Sequence, residues 1–191
     1  MDRVSFSEGI PLNIPNSLTV LRILLVPVFV GLLVYEHYDQ ALLTLIIAAV
    51  TDGLDGAIAR MANQQTRIGA YLDPLADKLL LMSSFLTLSI LHMIPVWAVI
   101  MVVSRDLILL AGTLLARVTE SSIDISPTIL GKGTTLVQFT YITMVVLMTT
   151  GHVELQMIQP VLAVMATLTI ASGTHYLYRG IMSLNNQGTP S

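Results

Sequence analysis

Six apolar runs, each long enough to cross a lipid bilayer as a helix, occupy most of this chain and leave little else for it to fold into. They fall at about 18–35, 41–62, 68–90, 95–116, 128–150 and 155–178, joined by short polar connections. About 20 apolar residues in an α-helix span the hydrocarbon layer, and a helix satisfies its own backbone hydrogen bonds, as any segment in lipid must. A mean hydropathy of +0.78 and 11% charged residues in 191 exclude an ordinary soluble domain. The sequence therefore predicts an all-α integral membrane protein with six transmembrane helices. These form a single membrane domain over 1–191, with residues 1–16 as a short interfacial segment. Asn16 or Ser17 is expected to cap the first helix, and Pro27 to kink it.

The basic residues set an orientation. The connections at 36–40, 91–94 and 151–154 contain no lysine or arginine, whereas Arg3, Arg60, Arg67, Arg117 and Arg179 stand at or near helix ends on the other side. The positive-inside rule places both chain ends at the cytoplasmic face. The first residues lack both the features of a secretory signal and an Arg-rich, Ser-rich leader, which points to a bacterial inner membrane.

Four aspartates interrupt the second and third runs, and they carry the functional reading. Asp52 and Asp55 are three residues apart, Asp73 and Asp77 four, spacings that put each pair on one face of a helix. The connection Asn63 to Arg67 is short, so the two helices are expected to be antiparallel neighbours with their charged halves on the same, cytoplasmic side. An ionisable residue within a span costs roughly 2.5–3.5 kcal/mol on insertion scales, and four carboxylates together repel one another unless cations or protons neutralise them. Hard divalent cations suit such an oxygen site. With no cysteine in the chain, thiolate ligation is excluded, and His37, His92, His152 and His175 stand singly and read as interfacial. Two plainer readings run beside this one. Asp52 or Asp77 pairs with Arg60, Lys78 or Arg105 to hold helices together, and Gly53, Gly56 and Gly69 serve helix packing rather than close approach of a ligand.

As one pattern, Asp52, Asp55, Gly56, Ala59, Arg60, Gly69, Asp73 and Asp77 read D-x-x-D-G-x-x-A-R-x8-G-x3-D-x3-D. This resembles the signature of the CDP-alcohol phosphotransferase family, and the opening Pro15 to Thr19 with Arg22 and Pro27 looks like its glycerophospholipid branch. The resemblance implies transfer of a phosphatidyl group from CDP-diacylglycerol to a glycerol-type alcohol, with release of CMP. By similarity, Asp52, Asp55, Asp73 and Asp77 hold two Mg2+ or Mn2+ ions, and Asp77 is the general base. Arg60 grips donor phosphate, and Gly56, Ala59 and Gly69 belong to the donor site. The family also implies a homodimer. No nucleophilic serine, cysteine or histidine lies within the motif, which favours direct transfer over a covalent intermediate.

The acceptor rests on the fourth and fifth runs. Enzymes that make phosphatidylglycerol phosphate carry an Arg-Glu pair with another arginine seven residues on; here the pair is Arg105-Asp106 and position 113 is Thr113. The stretches Ser104 to Leu109, Pro127-Thr128 and Lys132 to Gln138 look more like the cardiolipin synthases of the family, which use phosphatidylglycerol. Glycerol-3-phosphate is the alternative acceptor. Both acceptors are anionic, so Arg105, Lys132 and Arg179 are candidates for acceptor binding. Their other readings are an ion pair for Arg105 and interfacial snorkelling for Lys132 and Arg179. Nucleic acid is not an expected partner. A cation transporter is the reading from another class; it leaves Arg60 without a role, and the outer halves of spans two and three lack the polar path it needs.

Overall fold

The computed structural model describes residues 14–62, 67–118 and 129–187; the side chains at 14–16, 55–75, 77, 111–129, 177 and from 179 onward lie outside that description. The described residues form six α-helices: α1 (Ile14–Val34), α2 (Tyr38–Ala62), α3 (Arg67–Ile90), α4 (Val96–Val118), α5 (Ile129–Thr149) and α6 (Leu155–Gln187). Each coincides with an apolar run. Three limits differ from expectation, the first being that α2 begins at Tyr38, within the expected connection. Helix α1 begins at Ile14, so Asn16 and Ser17 lie inside its first turn rather than capping it, and α6 continues through the polar residues after Tyr178 to Gln187. Pro15 near the start of α1 costs little, because the first turn of a helix has no intrahelical acceptors for its N–H groups. Pro27 and Pro160 sit within α1 and α6.

The chain divides into two compact units, Met1–Leu91 and His92–Ser191. In the first, α1 packs against both α2 and α3. Among the described residues, the buried positions of α1 are Thr19, Arg22, Phe29 and Leu33, those of α2 are Ala41, Thr44, Leu45, Ala48 and Thr51, and those of α3 are Ala76, Leu80, Leu81, Ser84, Phe85, Thr87 and Leu88. These recur every three or four residues, as one face of a helix requires. Alanine, serine and threonine at the contacts let the backbones approach, the usual means of packing helices where apolar burial gives no advantage over lipid.

In the second unit the shared helix is α6, which packs against α4 and α5. Its buried Met165, Thr169 and Ser172 belong with Ala98, Val102, Arg105 and Asp106 of α4, and with Thr134, Gln138, Tyr141, Ile142 and Val145 of α5. Buried hydroxyls in both units bond back to their own helix: Thr44 to the Gln40 carbonyl, Ser84 to Leu80, Thr134 to Leu130 and Thr169 to Met165. This places a hydroxyl in an apolar interior without leaving its polar atom unsatisfied.

Two helical stretches among the described residues, Ser17–Val34 and Leu155–Tyr176, are long and apolar enough to cross a membrane, and only 22% of each is buried within the protein, unlike the core helix of a globular domain. The apolar part of α3, Lys78–Ile90, is shorter. The six expected spans are thus six helices, and among the described residues two stretches meet the criterion of a spanning segment on length and hydropathy.

The turns explain how helices of this length stop. After α1 the His37 N–H donates to the Leu32 carbonyl and the Glu36 N–H to Leu33. After α5 the His152 N–H donates to Leu147 and the Gly151 N–H to Met148. Both are Schellman caps, which need a left-handed residue at the position after the cap. Glu36 (φ 62°) and Gly151 (φ 79°) supply it, and His92 (φ 57°) does the same after α3. A side chain in that conformation costs roughly 1–2 kcal/mol, which glycine avoids. Gly151→Ala is therefore expected to lower stability by about 1 kcal/mol and Glu36→Gly to raise it by up to about 1 kcal/mol. Thermal unfolding in detergent measures both.

Candidate active site

All eight motif positions lie on helix: 52, 55, 56, 59 and 60 on α2, and 69, 73 and 77 on α3. Both are continuous through these positions, so 52 and 55 share one face of α2, and 73 and 77 one face of α3. The side chains of Asp55, Ala59, Arg60, Asp73 and Asp77, and the surroundings of Gly56 and Gly69, lie outside the described residues. Among the described side chains no three of histidine, aspartate or glutamate cluster; of the four motif carboxylates only Asp52 is described. Gly53 is exposed, and a methyl group added there would meet nothing within 4 Å. Packing among the described residues therefore does not require glycine at this position.

Asp52 is where the motif can be seen in place. Arg22 of α1 donates from Nη1 to Asp52 Oδ1 at 2.8 Å, with the arginine side chain 1% exposed and the aspartate 47%. The partner is none of the three cations expected from the sequence; it comes from the middle of the first helix. The local reason is the packing of α1 on α2. Arg22 lies one turn from buried Thr19 on the packed face of α1, and Asp52 follows the buried position Thr51 of α2. The cation is thus enclosed, while the carboxylate is half-exposed. Asp52 is an oxygen donor of the kind hard divalent cations take.

In the second unit Arg105 is only 4% exposed. Its Nη1 donates to Asp106 Oδ1 at 2.8 Å, and its Nη2 donates to the Gly131 carbonyl of α5 and to Ser172 Oγ of α6, both at 3.3 Å. One side chain thus ties α4 to both other helices of its unit. The ion pair expected as one reading of Arg105 is present, and two interhelical bonds accompany it. Lys132, the neighbour of Gly131, is exposed, and the side chain of Arg179 lies outside the described residues. Gln138, one helical turn beyond Thr134, is wholly buried, and neither its amide nitrogen nor its oxygen has a partner among the described residues.

Residues 12–171 match the profile of the CDP-alcohol phosphatidyltransferase family. The chain belongs to this family. Its similarity to individual members is divided among three names. It is 43% identical over 108 residues to a cardiolipin synthase (CMP-forming) of Homo sapiens, a match covering 56% of this chain and 36% of that protein. It is 32% identical over 179 residues to a probable phosphatidylglycerophosphate synthase of Mycobacterium tuberculosis, covering 90% of this chain and 83% of that protein. It is 35% identical over 122 residues to the CDP-diacylglycerol–glycerol-3-phosphate 3-phosphatidyltransferase of Bacillus subtilis, covering 53% and 63%. The chain thus spans about a third of the length of the human relative. The matched region of this family member contains the whole aspartate motif and both described arginine pairs.

The surroundings of Arg105 yield a test that separates holding the helices from holding a ligand. Removing one member of a buried ion pair typically costs about 3–5 kcal/mol, whereas replacing both with apolar residues is often neutral. Asp106→Leu alone is expected to destabilise by about 3 kcal/mol, and the double variant Arg105→Met, Asp106→Leu to unfold close to the unaltered protein. If the folded double variant releases CMP with a normal KM for the acceptor, Arg105 is structural. A raised acceptor KM at normal stability assigns it to the acceptor.

Proposed function

We propose that this family member transfers a phosphatidyl group from CDP-diacylglycerol to a glycerol-type alcohol, releasing CMP, at a site built on Asp52, Asp55, Asp73 and Asp77. The observation that carries the reading is the eight-residue pattern laid in helical register along α2 and α3, in a chain whose family profile covers residues 12–171. The residues fit divalent metal: Asp52 offers a half-exposed carboxylate whose ion pair engages Oδ1, and every other motif donor is a carboxylate oxygen. Two Mg2+ or Mn2+ ions held there would supply charge stabilisation to the diphosphate and to the attacking and leaving oxygens.

The rest of the chemistry belongs to the chain. Asp77 takes the proton of the acceptor hydroxyl as its oxygen bonds to the phosphorus next to the diacylglycerol; the bond from that phosphorus to the CMP oxygen breaks, and CMP leaves. Arg60 binds donor phosphate with its planar fork of N–H groups. Gly56, Ala59 and Gly69 are small enough to admit the cytidine and its phosphates. We place this site at the cytoplasmic face of a bacterial inner membrane, in a single catalytic domain that works as a homodimer.

For the acceptor we favour phosphatidylglycerol, the cardiolipin synthase reaction. Arg105 is followed by Asp106 and bonds within its own unit, which leaves exposed Lys132 as the better candidate to meet an acceptor phosphate, with Arg179 as a second. The alternative acceptor, glycerol-3-phosphate, is favoured by the match to the mycobacterial phosphatidylglycerophosphate synthase, which extends over 90% of this chain.

Purified protein with labelled CDP-diacylglycerol and Mg2+ is expected to release CMP when phosphatidylglycerol is added. Product with glycerol-3-phosphate alone reverses the choice of acceptor, and no CMP with either removes the whole reading. Asp77→Asn is expected to reduce CMP release by about 10²–10⁴-fold while donor binding persists; full activity in that variant eliminates the general-base role.

A further inference from the structure

We infer that Arg22 of α1 is a positioning residue for the metal site, setting the orientation in which the Asp52 carboxylate meets a divalent cation; this rests on the reading of Asp52 as a metal ligand. The two described ion pairs of the protein differ in a telling way. In the Arg105–Asp106 pair, formed within α4, both side chains are enclosed, 4% and 6% exposed. In the Arg22–Asp52 pair the cation is enclosed at 1% and the anion stands 47% exposed. Such a pair holds a buried guanidinium behind an accessible carboxylate.

The geometry gives this arrangement a consequence. Arg22 is fixed by the packed face of α1, between buried Thr19 and Phe29. Its Nη1 holds Oδ1 at 2.8 Å, which removes much of the rotational freedom of a carboxylate on a helix surface and leaves Oδ2 as the oxygen to be presented. Partners that hold a metal ligand from behind typically contribute 10–100-fold in metal affinity. The guanidinium also opposes a cation by its charge. With four carboxylates in the motif the site remains strongly negative after one is paired, so orientation outweighs that repulsion.

Mn2+ alone, titrated into the purified full chain and followed by electron paramagnetic resonance, tests this without turnover. Arg22→Gln is expected to weaken Mn2+ binding at least 10-fold, and Arg22→Lys, which keeps the charge but not the planar fork, to fall between. Phe29→Ala is the control, since it damages the same buried face of α1 without touching Asp52; it is expected to keep normal Mn2+ affinity. Unchanged or tighter binding by Arg22→Gln overturns the inference, as does an equal loss in Phe29→Ala. Where Arg22→Gln does not fold, Arg22→Lys is decisive by the same criteria. Absence of Mn2+ binding by the unaltered protein overturns the metal-site reading together with this inference, whereas normal binding by the Arg22 variants overturns this one alone.

Discussion

The bond between Arg22 and Asp52 is the interaction on which the first unit depends, because it is where a charge enclosed between helices meets the chemistry of the chain. A guanidinium cannot be sealed inside an apolar contact without an anion or a set of acceptors nearby. Here the anion is the first aspartate of the motif, so packing α1 against α2 and orienting the motif are one event. Helix α1 also packs on α3. The same helix therefore packs against both motif-bearing helices, and Arg22 in its middle reaches an aspartate thirty residues away in sequence.

The second unit solves the same problem differently. Arg105 spreads its donors over a carboxylate on its own helix, a backbone carbonyl on α5 and a hydroxyl on α6. Each group left bare in an apolar interior would cost on the order of 1–3 kcal/mol, and such a network also fixes which faces of three helices meet. Gln138 shows the limit of this economy. Threonine and serine return their single hydroxyl to their own helix, but an amide has both donors and an acceptor at the end of a longer chain, and its own turn offers it no partner.

Much of this was legible from the sequence, and for stated reasons. Six apolar runs gave six helices, with ends near the polar connections, because apolar length and helix length are the same constraint in such a chain. The spacing of Asp52 with Asp55, and of Asp73 with Asp77, announced helix faces correctly, since both α2 and α3 are continuous there. The left-handed residues that close helices, Glu36 and His92 among them, were not legible, because nothing in a glutamate or histidine signals such a backbone. The start of α1 was set too late because Asn16 and Ser17 resemble caps, although Pro15 suits the first turn equally well. Arg22 was visible as a lone charge in an apolar run. Its partner was not, because pairing across helices depends on which faces meet, and spacing along one helix says nothing about its neighbour.

The same distinction governs how the reaction and its acceptor are encoded. The donor chemistry proposed above falls in one short stretch whose residues lie on two consecutive helices, so a linear pattern captures it. An acceptor site has no such compactness. Its candidates, Arg105, Lys132 and Arg179, come from three different helices, and Arg105 already bonds within its own unit. Relatives named for different products match this chain, as expected if the motif is shared while discrimination arises from a few cations whose role depends on what already occupies them. Arg105, engaged on three sides, shows why: a charged residue in a helix becomes a ligand-binding group only to the extent that its own protein has left its donors unspent.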